Sequence, residues 1–108
     1  MAELNVIAAS EAGAEVTLAT ADDGAGDSFE NDGRTMLEIE NSTGGEVDVT
    51  VKGQRNCNYG EKHDLVLTVA DASTKVYGPF DPHWFNDGQG QAHLEYSAAG
   101  LTLAPIKV

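Results

Sequence analysis

The chain has 108 residues and a formal net charge of −12, from 18 acidic and 6 basic residues. That length suits a single domain, residues 1–108, built around one hydrophobic core. The charge balance works against phosphate backbones, which need clustered Lys and Arg, and against anionic lipid, so neither nucleic acid nor membrane is an expected partner.

The first ten residues, "MAELNVIAAS", lack the basic region that precedes the apolar part of a secretory signal. No stretch approaches the roughly 20 apolar residues of a membrane helix. A protein made in a cytoplasm is the expectation. In chain order, "ELNVIAA" and "AEVTLAT" are weak strand candidates, and Ala8 to Ala14 is the best short helical one. Residues 1–27 are the least distinctive part of the chain. The glycine-rich, acidic "ADDGAGDSFENDG", Ala21 to Gly33, reads as a long surface loop, of a kind that often carries function.

Strand periodicity then dominates. "TMLEIEN" sets Leu37 and Ile39 on one face and Glu38 and Glu40 on the other. "EVDVTVKG" aligns Val47, Val49 and Val51 in the same way. "STGGE" between them reads as a hairpin loop, because Gly44 and Gly45 accept positive φ. "DLVLTVA" puts Leu65, Leu67 and Val69 inward and is apolar enough for a central strand. "TKVYGPF" offers Val76 inward and Lys75 outward. "QAHLEYS" turns Ala92, Leu94 and Tyr96 in, with His93 toward solvent. "LTLAPIKV" turns Leu101 and Leu103 in, and Pro105 should mark an edge or a strand end. "ADAST" and "SAAG" are further connections. Roughly eight short strands with regular turns predict an all-β fold, a single antiparallel β-sandwich of jelly-roll-like type.

Catalytic patterns are absent from the sequence. There is no G-x-S-x-G elbow and no phosphate-cradling glycine loop, so no enzyme activity is expected. Cys57, the lone cysteine, sits in the polar "RNCNYG" with no intramolecular disulfide partner. His63, His83, His93 and Cys57 show no paired zinc spacing. Started at Asp27 or at Asp81, the acidic stretches miss the EF-hand pattern, since Phe29 or His83 falls on the third loop position, where a ligand is needed. No metal or cofactor is expected, although irregular calcium sites obey no fixed spacing.

The distinctive phrase is "GPFDPHWFNDGQG", Gly78 to Gly90, echoed upstream by "SFENDGRT". Three of the four Phe and Trp residues, Phe80, Trp84 and Phe85, crowd into it. Asn-Asp-Gly is turn chemistry: the side chains of Asn and Asp bond nearby backbone, and Gly takes positive φ. Asn31, Asp32 and Gly33 and then Asn86, Asp87 and Gly88 therefore predict two similar corners, anchored by Phe29 and Phe85. Large aromatics beside proline in a rigid turn suit a protein contact, which makes Phe80, Asp81, Pro82, Trp84 and Phe85 the candidate contact set. If the chain is extended there, Trp84 and Phe85 point to opposite sides, one to the core and one to a partner.

"SFENDGRTMLEIEN", "YGPFDPHWFNDGQGQAHLEYS" and the closing "LTLAPIKV" together resemble small proteins of tailed bacteriophages and prophages encoded with the head genes. The resemblance covers Ser28 to Val108. It implies a capsid decoration, or cement, protein that binds the outer shell and bridges major capsid subunits without covalent bonds. Its expected partners are the major capsid protein and itself, as a homodimer or homotrimer. Its expected place is the virion surface, after assembly in the host cytoplasm. A head–tail connector or tail component, or a carbohydrate-binding β-sandwich module, is the alternative. The "DPHW" insertion here is longer and more aromatic than the family's plain form.

Overall fold

The alternation in "TMLEIEN" becomes the longest strand of the fold: Leu37 and Ile39 are fully buried, and Glu38 and Glu40 beside them half-buried. The computed structural model describes residues 2–55, 59–60 and 62–107. In these the strands are β1 (Ala2–Glu3), β2 (Ile7–Ala8), β3 (Ala19–Thr20), β4 (Asp27–Glu30), β5 (Thr35–Asn41), β6 (Val47–Val51), β7 (Leu65–Val69), β8 (Ser73–Tyr77), β9 (Gln91–Tyr96) and β10 (Thr102–Lys107), with one helical turn, α1 (Pro82–Phe85), before β9. Two sheets form an all-β sandwich, one in the order β1-β4-β9-β6-β7, the other β2-β10-β5-β8, with β3 also pairing β10. Phe29, Leu37, Ile39, Val47, Val49, Val51, Leu94, Leu101 and Leu103 fill the space between them. Each such side chain contributes about 1.5–3 kcal/mol by burial. No helix among the described residues is long and apolar enough to cross a membrane.

Several sequence expectations are corrected here. First, "STGGE" does not close a hairpin. β5 and β6 lie in different sheets, and the segment crosses between them. Buried Asn41 holds the crossing: its Nδ2 donates to the carbonyls of Gly45 (2.9 Å) and Val69 (3.0 Å), and its Oδ1 accepts from the Thr43 N–H. Of the links from β4 onward, only that between β6 and β7 stays within one sheet.

Second, β7 and β8 are edge strands. Leu65 and Val66 are exposed on β7, and Val76, expected inward, is exposed on β8. The inward residue of β8 is Tyr77, which packs on the core. Third, Pro105 lies inside β10, between β5 on one side and the N-terminal strands on the other. β3 pairs at Thr102 and Leu103, and β2 at Ile106 and Lys107. Pro105 falls in the gap between these two partners, where a missing N–H is tolerated.

Fourth, the expected loop Ala21–Gly33 contains β4, whose Asp27, Ser28 and Phe29 are buried. Before β4 the surface turn spans residues 22–26, where Asp22 Oδ1 accepts the N–H groups of Gly24 and Ala25. Gly26, at φ +79°, passes so close to β9 that a Cβ there would lie 2.5 Å from the Leu94 carbonyl oxygen. The N-terminal segment forms no helix at Ala8–Ala14. It runs as a strap, parallel to β4 at β1 and to β10 at β2.

Candidate functional site

The two Asn-Asp-Gly phrases meet at one end of the sandwich. In the first, Asn31 Oδ1 accepts the Gly33 N–H (3.1 Å), Gly33 adopts φ +87°, and Asp32 Oδ1 accepts from Arg34 N–H (2.8 Å) and the Thr35 hydroxyl. The second differs from the expected copy of the first: Gly88 does not take positive φ, which falls at Gly90 (φ +79°), and the Asp builds the turn, Asp87 Oδ1 accepting from the N–H groups of Gln89 and Gln91. Asn86 is thereby left to reach across. Its Nδ2 donates to the Asn31 carbonyl (2.6 Å), while Asn31 Nδ2 donates to Asn86 Oδ1 (2.8 Å) and to the Phe80 carbonyl (3.3 Å). The repeated phrase thus makes two turns that clasp each other. Pro82 lies over Gly33, where a Cβ would meet its ring at 3.2 Å.

The clasp carries the aromatic turn. Asp81 caps α1, its Oδ1 accepting the His83 N–H (2.9 Å), and Pro82 occupies the first turn, where its missing N–H costs nothing. The chain is therefore helical, not extended, across Trp84 and Phe85. Phe85 still turns toward the core and Trp84 away from it. Phe80 is the buried keystone, 3% exposed, with its ring edge-to-face with Phe29 (6.1 Å) and with Phe85 (6.4 Å). This removes Phe80 from the expected contact set: its side chain is core, anchoring the corner from beneath. Phe85 is half-buried for the same reason, and the Asp81 carboxylate serves as the cap.

Trp84 remains, 40% exposed, with the His83 ring edge-on at 4.7 Å. Its backbone is fixed from the neighbouring segment. Gln54 N–H donates to the Trp84 carbonyl (2.8 Å), and Arg55 Nε–H donates to the His83 carbonyl (3.1 Å). Gln54 and Arg55 carry no motif, and sequence reasoning missed them.

Beside this corner, a cavity of about 600 Å³ opens on the first sheet, lined by Lys52, Gly53, Asp64, His93, Glu95 and Tyr96 among others. Within it Lys52 Nζ lies 2.8 Å from Asp64 and 3.8 Å from Glu95. His93, expected toward solvent, is half-buried, with Nε2 2.6 Å from Asp87 Oδ2. The hydrogen bond with His93 is the largest influence on the Asp87 carboxyl; burial opposes it, and the N–H groups of Gln89 and Gln91 add to it, so the carboxyl is held below its ordinary value. Among the described residues no group of three or more His, Cys, Asp or Glu side chains converges as a metal site. His63 is exposed, and Cys57 lies outside the described residues.

Compared with family models, with curated proteins and with solved structures, the chain matches none.

Proposed function

We propose that the chain is a bacteriophage capsid decoration protein, a non-enzymatic binder that bridges neighbouring major capsid subunits on the outer shell. The observation that carries this reading is Trp84: the sole tryptophan, solvent-facing, on a capped helical turn pinned from two sides. A rigid aromatic set in a polar surround is the usual form of a contact anchor, because little conformational entropy is lost when it is buried. The resemblance of Ser28 to Val108 to head-associated phage proteins supplies the partner. Burial of the exposed part of one aromatic yields at most about 1.5–3 kcal/mol per copy, and repetition by shell symmetry multiplies weak contacts into stable coating. The formal charge of −12 keeps copies apart until that contact forms.

Co-sedimentation with immature and expanded shells of the cognate major capsid protein, at two salt concentrations, tests the reading. Saturable binding, stronger to expanded shells, is the expected result. A tryptophan fluorescence change with sugars and none with shells would instead support the carbohydrate-binding alternative.

A further inference from the structure

Strand alternation puts Asp27 on the same face of β4 as Phe29, the face that looks between the sheets. A carboxylate at a core position is rare unless it is paired. Asp27 is 1% exposed. Its Oδ2 accepts from the Tyr96 hydroxyl (2.7 Å) and from the Asp22 N–H (3.1 Å). Its Oδ1 is buried with no hydrogen-bond partner, and among the described residues the carboxylate joins no ion pair.

Asp27 also lines a cavity of about 470 Å³ between the N-terminal strap and β10. Asp22, Glu3 and Glu15 line the same cavity, while Leu103 and Pro105 form part of its apolar wall. One oxygen of Asp22 is engaged by the turn N–H groups of Gly24 and Ala25, which fixes that carboxylate beside the cavity. The cavity wall is largely apolar, so the unpartnered Asp27 oxygen has little besides the neighbouring Asp22 carboxylate to meet there, and a hard cation is the ligand that satisfies both.

We propose that Asp27, with Asp22, binds a divalent cation of the calcium class and thereby fastens the N-terminal strap to the sandwich. Backbone carbonyls and water complete the coordination, since calcium accepts both. With few carboxylates in reach, the affinity falls in the weak range of about 10⁻⁴–10⁻³ M. The inference is independent of any shell partner.

The test is thermal melting of the full chain after EDTA treatment, with CaCl₂ against NaCl of equal ionic strength. At about 10 mM calcium the wild type should melt roughly 5 °C or more higher. Asp27→Asn, which keeps an acceptor for Tyr96, should lose that rise, and the exposed Asp22→Asn should reduce it. Tb³⁺ supplies a second readout that needs no variant to fold. Its emission, excited through Tyr96, should appear on the wild type and be displaced by calcium. No calcium-specific rise, an equal rise in wild type and Asp22→Asn, or Tb³⁺ emission that calcium leaves unchanged would overturn the proposal.

Discussion

Replacing Asn31 by Ala should be among the most damaging polar substitutions in the chain. Asn31 is 3% exposed, and its side chain makes three hydrogen bonds: to Asn86 Oδ1, to the Phe80 carbonyl and from the Gly33 N–H. Each is worth about 0.5–1.5 kcal/mol net, so their loss should cost about 3 kcal/mol. That is a large part of the roughly 5–15 kcal/mol of a small domain. Urea unfolding followed by Trp84 fluorescence would read it, because Trp84 is the sole tryptophan and sits beside the clasp. Asn86→Ala and the double variant complete a cycle. The two residues should couple by about 0.5–3 kcal/mol, as contacting members of one network do. A loss under about 0.5 kcal/mol for Asn31→Ala, or strictly additive single effects, would refute the view that the paired phrases hold this end of the sandwich together.

Phe80→Ala should cost about 3–5 kcal/mol in the same assay, because it empties the space between Phe29 and Phe85. Gly26→Ala should destabilise by at least about 1 kcal/mol, since φ is +79° and the Leu94 carbonyl leaves no room for a Cβ. The Asp87 carboxyl is held below its ordinary value by His93 in the folded chain. Its contribution is therefore present above the unfolded value of about 3.9 and is lost as pH falls through the lower folded value. Melting temperature against pH should drop below about pH 4, and Asp87→Asn should flatten that drop.

Much of the fold could be read from side-chain alternation, and the misreadings share a cause. β5, β6 and β9 were legible because Leu37, Val49 and Leu94 alternate with charged or polar neighbours. The run Leu65 to Leu67 was not, because an apolar strand looks alike at the centre and at the edge of a sheet until its neighbours are known. Glycines announced a turn at "STGGE", but turn chemistry does not say whether the chain returns to the same sheet. β4 was hidden by its polar residues: only Phe29 marks it as core, and Asp27 is buried against the usual preference of its type. At the aromatic corner the first Asn-Asp-Gly turn was legible from local chemistry, while in the second the positive φ falls at Gly90 and not at Gly88. The grip of Asn31 on Asn86, 55 positions away, depends on a strand order that no local pattern encodes.

The central claim is that Trp84 is the anchor for a shell. The most direct test measures binding of wild type and Trp84→Ala to expanded shells side by side, with melting curves of both proteins. Trp84 is 40% exposed, so the substitution should cost folding less than Phe80→Ala does, and the melting curves separate that cost from the loss of binding. The expected result is saturable binding by the wild type, weakened about 10–100-fold in the variant, the factor that about 1.5–3 kcal/mol of burial implies. Equal binding by the two proteins, or no saturable binding by the wild type, would contradict it.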